Sequence, residues 1–543
     1  MAKQAKPKAK TPVIPVSEPP SEIVLMWKKY APYIITGVFF ILSLIGILNH
    51  EMWRDEYQAW MVASEAHSIP QLFQNLKYEG NPVLWHAFLF IISAFTDDPF
   101  YMQIFHILIS TATIFLINKY SPFPVLQKIL LSFGYYTFFE YNLISRSYGL
   151  GLLLIVIFCI LYKDRRKNLL LIGAVLLLLS NNTIFGVILT VCFAGVIIYE
   201  GLFPDKKLKQ TKIPLPKLAL FAGITFLGVL LGYLQIKPEP DNSFPTLYVT
   251  HFDIVRLKWT LSRFIHAYFA IPNFRLYYFW NTNFFVPDER KFLVAVTPLI
   301  FLAWLIAFLR HRLVFLLYTV GTLILMVFYY YTGFIWSRYS GHLFLLLIAC
   351  CWMTYYFKES NFKNPVLNKI AAFGNKIRIP LFLIVLVIHL CGGVLAYIKD
   401  IKFPFSTSHE AADFIKTNQL DQYVIVGSQD YAISPLAFEL NKKIYYAERK
   451  EPGSFIIYDQ KRTNISSFDE IINLIRQVMP EGSTRVILVK SNEITKTFNE
   501  TGKTEPWTEG MVDETYSLTL LGKTTPGIVE DEVYYIYAVD KVR

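Results

Sequence analysis

Trp53-Arg54-Asp55-Glu56-Tyr57 places two carboxylates and a guanidinium directly after the first long apolar run of the chain. Ionisable groups beside a bilayer are costly to keep, so a cluster of them at the end of a span is a candidate functional site. Further polar side chains fall at the corresponding ends of other apolar runs or in the loops between them: Glu79, His86, Glu140, Arg146, the 237–290 loop and Arg338. A carboxylate can take a proton, and arginines can hold a phosphate through charge-assisted hydrogen bonds. Those two capacities together fit transfer of a sugar from a phosphate-linked lipid to a hydroxyl. An interfacial charge or a helix cap is the plain alternative for Asp55, and snorkelling from a helix end is the plain alternative for Arg146 and Arg338. A partly buried structural hydrogen bond competes equally for Glu56, Glu140 and His86.

A membrane scaffold must position these groups. Hydrophobic residues are 54% of the 543 and charged residues 17%, with mean hydropathy +0.38. Crossing a ~30 Å hydrocarbon core takes about 20 apolar residues. Runs of that order predict spans at 33–49, 100–118, 125–139, 149–162, 169–185, 186–202, 216–236, 292–309, 313–331, 342–357 and 379–398, about eleven helices. Cytoplasmic loops retain positive charge. Lys3 to Lys29, Lys163 to Lys167, Lys206 to Lys217, Arg310 to Arg312 and Lys358 to Arg378 therefore mark every second loop as cytoplasmic. The run from Val83 to Phe95, with an apolar core of about 13 residues, would break that alternation and reads as a juxtamembrane helix. The N-terminus is then cytoplasmic, and the polar cluster and residues 401–543 are external.

Three parts follow: a basic tail at 1–30 with too few apolar residues to build a core, a membrane domain at 31–400 with external loops 50–98 and 237–290, and an external domain at 401–543. The external part carries 16 basic and 21 acidic residues, a net of −5, leaving +16 on the remainder. The pI of 9.1 thus reports cytoplasmic loops and not nucleic-acid binding. The first apolar run lacks a small-residue cleavage site and acts as a start-transfer helix. All five cysteines, Cys159, Cys192, Cys350, Cys351 and Cys391, fall in predicted spans. The external domain therefore has no disulfides, which favours a bacterial plasma membrane, and no Cys and His spacing resembles a zinc site. Sequons stand at Asn464 and Asn499.

Alternating patterns predict a small α/β domain with a largely parallel sheet. Its helices fall at 408–419 and 468–478, and its strands at 423–426, 444–446, 454–458, 485–490 and 533–539. No Gly-rich nucleotide loop follows any of these strands, so the domain reads as an acceptor-recognition module. Transporters place polar groups near the midplane within paired interrupted helices, and neither feature is evident. Tyr277-Tyr278-Phe279-Trp280 and Asn281 in the long loop can stack on a sugar, although an aromatic belt explains them too.

At these residues the sequence resembles the GT-C superfamily of membrane glycosyltransferases, in the branch of protein O-mannosyltransferases and the lipid A aminoarabinose transferase. Arg54-Asp55-Glu56-Tyr57 resembles that branch's Asp-Glu pair, and Asn81-Pro82-Val83-Leu84-Trp85 resembles its Pro-Pro-Leu-Tyr motif. Ile144-Ser145-Arg146-Ser147-Tyr148-Gly149-Leu150 is similar to a Glu-Ala-Arg-Pro-Tyr-Ala-Leu segment, with Glu140 about four positions earlier than the motif's acid. Ser337-Arg338-Tyr339-Ser340-Gly341-His342 is similar to an Arg-His-His-Gly segment of bacterial members. The resemblance implies a GT-C fold, a polyprenyl-phosphate sugar donor and inverting transfer to a protein, lipid or glycan hydroxyl. It implies Asp55 and Glu56 as the catalytic pair, Asp55 being the base, and Arg146, Arg338, Glu140, His86 and Tyr148 at the substrate. Phosphate is a good leaving group, so neither a general acid nor a metal or other cofactor is required. A lipid-linked sugar flippase, an oligosaccharide or polymer ligase of the same fold, and a non-enzymatic assembly subunit are the competing readings.

Overall fold

The computed structural model describes residues 22–204, 212–244, 248–286, 292–334, 336–463, 467–497 and 504–542. The first 21 residues, the sequons at Asn464 and Asn499, and the start of the 206–217 basic stretch lie outside them.

The chain is a polytopic helical membrane protein with a C-terminal α/β domain. Its helices are α1 (Glu22–Ile47), α2 (Arg54–Ser64), α3 (Ile69–Asn75), α4 (Leu84–Ser93), α5 (Phe100–Tyr120), α6 (Val125–Ser132), α7 (Ser147–Tyr162), α8 (Leu169–Ser180) and α9 (Ile184–Leu202). After them come α10 (Leu215–Ile236), α11 (Ile254–Tyr268), α12 (Leu293–Phe308), α13 (Arg312–Thr332), α14 (Ser337–Met353) and α15 (Pro365–Lys402). In hydrocarbon every backbone amide must be satisfied internally, so apolar runs of this length are helices. Six, namely α1, α5, α9, α10, α13 and α15, are long and apolar enough to cross a membrane, and α4, α7, α8 and α12 are shorter apolar helices. The 10 residues of α4 span only about 15 Å at 1.5 Å per residue, half a hydrocarbon core, in line with a helix that does not cross.

The expected span at 125–139 is not one helix. It breaks after α6, and Tyr135–Glu140 forms a single π-helical turn. Thr137 Oγ1 turns back onto the Leu131 and Gly134 carbonyls, adding a side-chain donor to the backbone at the break. Gly393 on α15 lets that backbone pack against the break, since a Cβ there would lie 2.6 Å from the Phe133 carbonyl oxygen. The expected span at 379–398 is the middle of the 38-residue α15. Its start is capped by the Asn364 side chain, which accepts from Val366 and Leu367.

Beyond α15 come α16 (Ser408–Thr417), β1 (Val424–Ser428), α17 (Asp430–Glu439), β2 (Ile444–Tyr446), β3 (Glu451–Gly453), α18 (Phe468–Val478) and β4 (Arg485–Lys490). The chain ends with β5 (Thr495–Thr497), β6 (Thr504–Pro506), β7 (Glu509–Met511), β8 (Tyr516–Lys523) and β9 (Tyr535–Lys541). The main sheet has the order β3-β2-β1-β4-β9-β8-β7. Only β2–β1 and β1–β4 pair in parallel, so the sheet is mixed and not largely parallel. The strands β7, β8 and β9 follow one another without a crossover helix, which leaves them antiparallel pairing alone.

Residues 454–458, expected as a strand, join no sheet. Their backbone hydrogen bonds are used differently. The Gln58 side-chain amide pairs with both the N–H and the carbonyl of Ile456, at 2.9 and 3.0 Å, and the Ser243 N–H donates to the Tyr458 carbonyl at 2.8 Å. This strap fastens the C-terminal domain to α2 and to the loop after α10.

Candidate active site

The start of α2 sets the geometry. Glu56 Oε2 accepts from the Trp53 N–H at 3.2 Å, half of a capping box, and this fixes the first turn that carries Asp55. Two guanidinium groups from distant elements converge on one oxygen of that carboxylate. Arg146 Nη1, from the residue that caps α7, lies 3.3 Å from Asp55 Oδ2, and Arg338 Nη2, from the first turn of α14, lies 3.4 Å from it. Arg146 also donates to the Asp55 backbone carbonyl. Oδ1 takes no hydrogen bond among the described residues, and the carboxylate keeps 27% of its exposure while the arginines keep 12% and 10%. Burial pushes the Asp55 carboxyl up, but Arg146, Arg338 and Arg54 outweigh it and hold the group below the usual carboxylate range.

Arg338 is seated among aromatic rings, 5.0 Å from Trp53 and Tyr339, 5.6 Å from Trp280 and 5.7 Å from Trp336. Cation–π contacts of this kind hold a desolvated guanidinium without neutralising it. Its Nε is buried and has no hydrogen-bond partner among the described residues. Glu140, 1% exposed, sits at the end of the π-turn and accepts from Tyr135 at 2.9 Å and from Trp280 Nε1 at 3.1 Å. It therefore reaches the cluster by orienting Trp280 under Arg338. Asn281 Oδ1 accepts from the Ser337 N–H at 3.1 Å, tying the same aromatic loop to the start of α14.

Tyr148 is the second residue of α7, stacked on Tyr141 at 5.5 Å and edge-on to His342 at 5.8 Å. Its hydroxyl makes no hydrogen bond among the described residues. His86 is buried on α4 with no side-chain partner for either nitrogen among the described residues, and burial together with Arg146 pushes it down to about 3. It is a neutral imidazole behind Arg146.

Glu56 is separated from this cluster. It is fully buried, and both oxygens are taken: Oε1 by the Ser145 N–H at 2.6 Å, Oε2 by the Trp53 N–H and His50 Nε2 at 3.2 Å each. His50 Nδ1 meets Asp400, in the last turn of α15, at 3.0 Å. Burial acts to lower the His50 pKa, but Asp400 and Glu56 push it up to about 10. The imidazolium is thus a strut between two carboxylates, joining α15 to the segments that carry Asp55 and Arg146. His106 bridges the carbonyls of Asn142 and Arg146 at 2.9 Å each, holding the same segment.

Sequence reasoning missed His50, His106 and Asp400, and saw Glu79 only as one polar group among several. Glu79 Oε1 accepts from Gln58 at 2.6 Å. Burial raises its carboxyl to about 7, moderated by Gln58 and Arg146 and reinforced by Asp55. The C-terminal domain also reaches the site through Arg54. Its N–H and Nη1 meet Glu532 at 3.1 and 3.4 Å, and Nη1 meets Asp531 at 2.6 Å.

No family model matches the chain, and no curated protein matches it. Among solved structures, ArnT from Cupriavidus metallidurans bound to undecaprenyl phosphate is similar with a TM-score of 0.44 and 12% identity, covering 93% of this chain and 97% of that one.

Proposed function

We propose that this chain is a GT-C type membrane glycosyltransferase that moves a sugar from a polyprenyl-phosphate donor to an acceptor hydroxyl on the external face of a plasma membrane. The observation that carries this reading is the convergence of Arg146 and Arg338 on a single oxygen of Asp55. Two cations share one anion, Arg338 Nε has an unused donor, and Oδ1 is free. A phosphate supplies the missing negative charge and acceptors. It also loosens the hold of the arginines on Asp55, which raises the proton affinity of that carboxylate as the donor arrives.

In the reaction, Asp55 takes the proton of the acceptor hydroxyl while that oxygen forms its bond to the anomeric carbon. The bond from that carbon to the phosphate oxygen breaks, and its electron pair leaves with the phosphate. Arg146 and Arg338 hold the charge that develops there, which is where fixed cations lower a barrier. Attack opposite the leaving group inverts the anomeric centre. Glu56 and Glu140 act through position, the first by clamping Ser145 and Trp53 and the second by orienting Trp280. Tyr148 offers its hydroxyl to the bound donor, and His86 is a neutral wall behind Arg146. The C-terminal domain, strapped over α2, bounds the acceptor side.

Glu79 supports a second reading of the proton transfer. Asp55 acts on Glu79, and the two lie in opposed environments, one held below the usual carboxylate range and the other raised to about 7. Such a split separates acid from base in many sites, and it lets Glu79 receive the proton from Asp55 after transfer.

The test is mass spectrometry of glycolipids and glycoproteins from cells that carry or lack the protein. Loss of one glycoform, restored by the wild-type chain and not by Asp55→Asn, is expected. An unchanged profile overturns the enzyme reading, and loss restored equally by Asp55→Asn turns the assignment toward a flippase or assembly subunit.

A further inference from the structure

A crevice of about 250 Å3 opens between the start of α1, the end of α5 and the start of α6, with Asn118 and Lys128 as its polar lining and Ala31, Pro32, Ile35 and Phe123 among its apolar walls. Ala31 precedes Ile47 by 16 residues on α1, so the crevice lies about 24 Å along that helix from the turn that leads to Asp55. It is a separate place in the molecule, at the end the basic loops assign to the cytoplasm.

Lys128 is half-buried, and its ammonium donates to the Asn118 carbonyl at 2.7 Å. No acidic side chain neighbours it among the described residues. Lys29, two positions before Ala31, and Lys119, beside Asn118, add exposed positive charge at the same helix ends. Asn118 is 1% exposed. Its Nδ2 donates to the Ile114 carbonyl and the Ser132 hydroxyl at 2.9 Å each, while its Oδ1 is buried with no partner among the described residues. The crevice therefore presents an uncompensated cation and an orphaned acceptor between apolar walls. Both are costly to keep desolvated when empty-handed.

We propose that this crevice binds the headgroup of an anionic phospholipid of the inner leaflet, a phosphodiester carrying a hydroxyl. The phosphate neutralises Lys128, the hydroxyl donates to Asn118 Oδ1, and the apolar walls receive the roots of the acyl chains. A choline headgroup brings its own cation and has no hydroxyl to donate, so it meets neither need.

The test is native mass spectrometry of the purified full-length chain released from micelles containing phosphatidylglycerol, phosphatidylcholine or inorganic phosphate. Phosphatidylglycerol is expected to remain bound to the wild type at least fivefold more than phosphatidylcholine, and Lys128→Gln is expected to abolish that preference. Lys128 also braces the end of α5, so Pro124→Glu provides a second variant. It adds a negative charge on an exposed lining residue ahead of α6, where helix formation tolerates an acid, and it too is expected to expel phosphatidylglycerol. Equal retention of both lipids by the wild type, or unchanged retention in both variants, overturns the proposal. Binding of inorganic phosphate alone that Lys128→Gln abolishes assigns the site to a soluble anion and overturns the lipid assignment.

Discussion

Asp55 and Glu56 are chain neighbours in opposite circumstances. Around Asp55 two guanidiniums share one carboxylate oxygen, the other oxygen takes no hydrogen bond among the described residues, and a quarter of the group remains exposed. Around Glu56 every oxygen is bonded, water is excluded, and a protonated His50 is shared with Asp400. Successive positions on a helix point about 100° apart, so one turn of α2 turns one acid toward the partly exposed arginine cluster and the other into the scaffold. The comparison separates a carboxylate with an open oxygen and excess opposite charge, the one proposed as the base, from one whose hydrogen bonds are complete.

The largest effect expected from breaking this contrast is on stability at the closed side. Glu56→Gln leaves His50 and Asp400 without their third partner in a dry site, where removing one member of a buried ion pair costs about 3–5 kcal/mol. A fall in Tm of the purified protein checks it. Near-wild-type Tm would mean that the strut is not fixed by Glu56. The His50 pKa is raised, so the stability it supplies is fully present below its unfolded value of 6.5 and is lost as pH rises through about 10.

On the open side, Arg146→Ala and Arg338→Ala each remove a proposed charge-assisted partner of the donor phosphate, worth about 1.5–3 kcal/mol. Donor binding is expected to weaken roughly tenfold to a hundredfold with little change in Tm. Equal loss of Tm and of affinity would make these arginines structural.

A smaller effect is expected at Glu79. Its carboxyl is raised to about 7, so the wild-type rate profile should show an ionisation near neutrality that Glu79→Gln removes. A profile unchanged in the variant would leave Glu79 outside the proton path.

Much of this was legible in the sequence because it rests on local signals. Apolar run lengths located the long helices, and β1, β2, β4 and α18 fell where their short apolar patterns placed them. The association of Asp55 with Arg146 and Arg338 was expected only as co-residence on one face; the contacts join residues 91 and 283 positions apart, which no periodicity encodes. Glu56 was paired with Asp55 at the candidate site, with a structural hydrogen bond as its equal alternative, because the sequence does not show which side of a helix faces the core. His50 gave no warning alone, being 350 positions from its partner, although an acid such as Asp400 near the end of a long apolar helix was a usable signal. Residues 454–458 carry a strand pattern whose hydrogen bonds are taken by Gln58 and Ser243, a tertiary demand that overrides propensity.

The central claim is that Asp55 is needed for the reaction and the arginines for the donor. The most direct measurement sets donor affinity beside single-turnover rate for Asp55→Asn, in purified protein reconstituted in lipid with a polyprenyl-phosphate sugar. The variant keeps the shape of the side chain and frees both guanidiniums, so the donor should bind at least as tightly as in the wild type while the rate falls by about 10²–10⁴, the usual contribution of a positioned base. A rate close to that of the wild type, with the donor still bound, would contradict the assignment of Asp55 as the base.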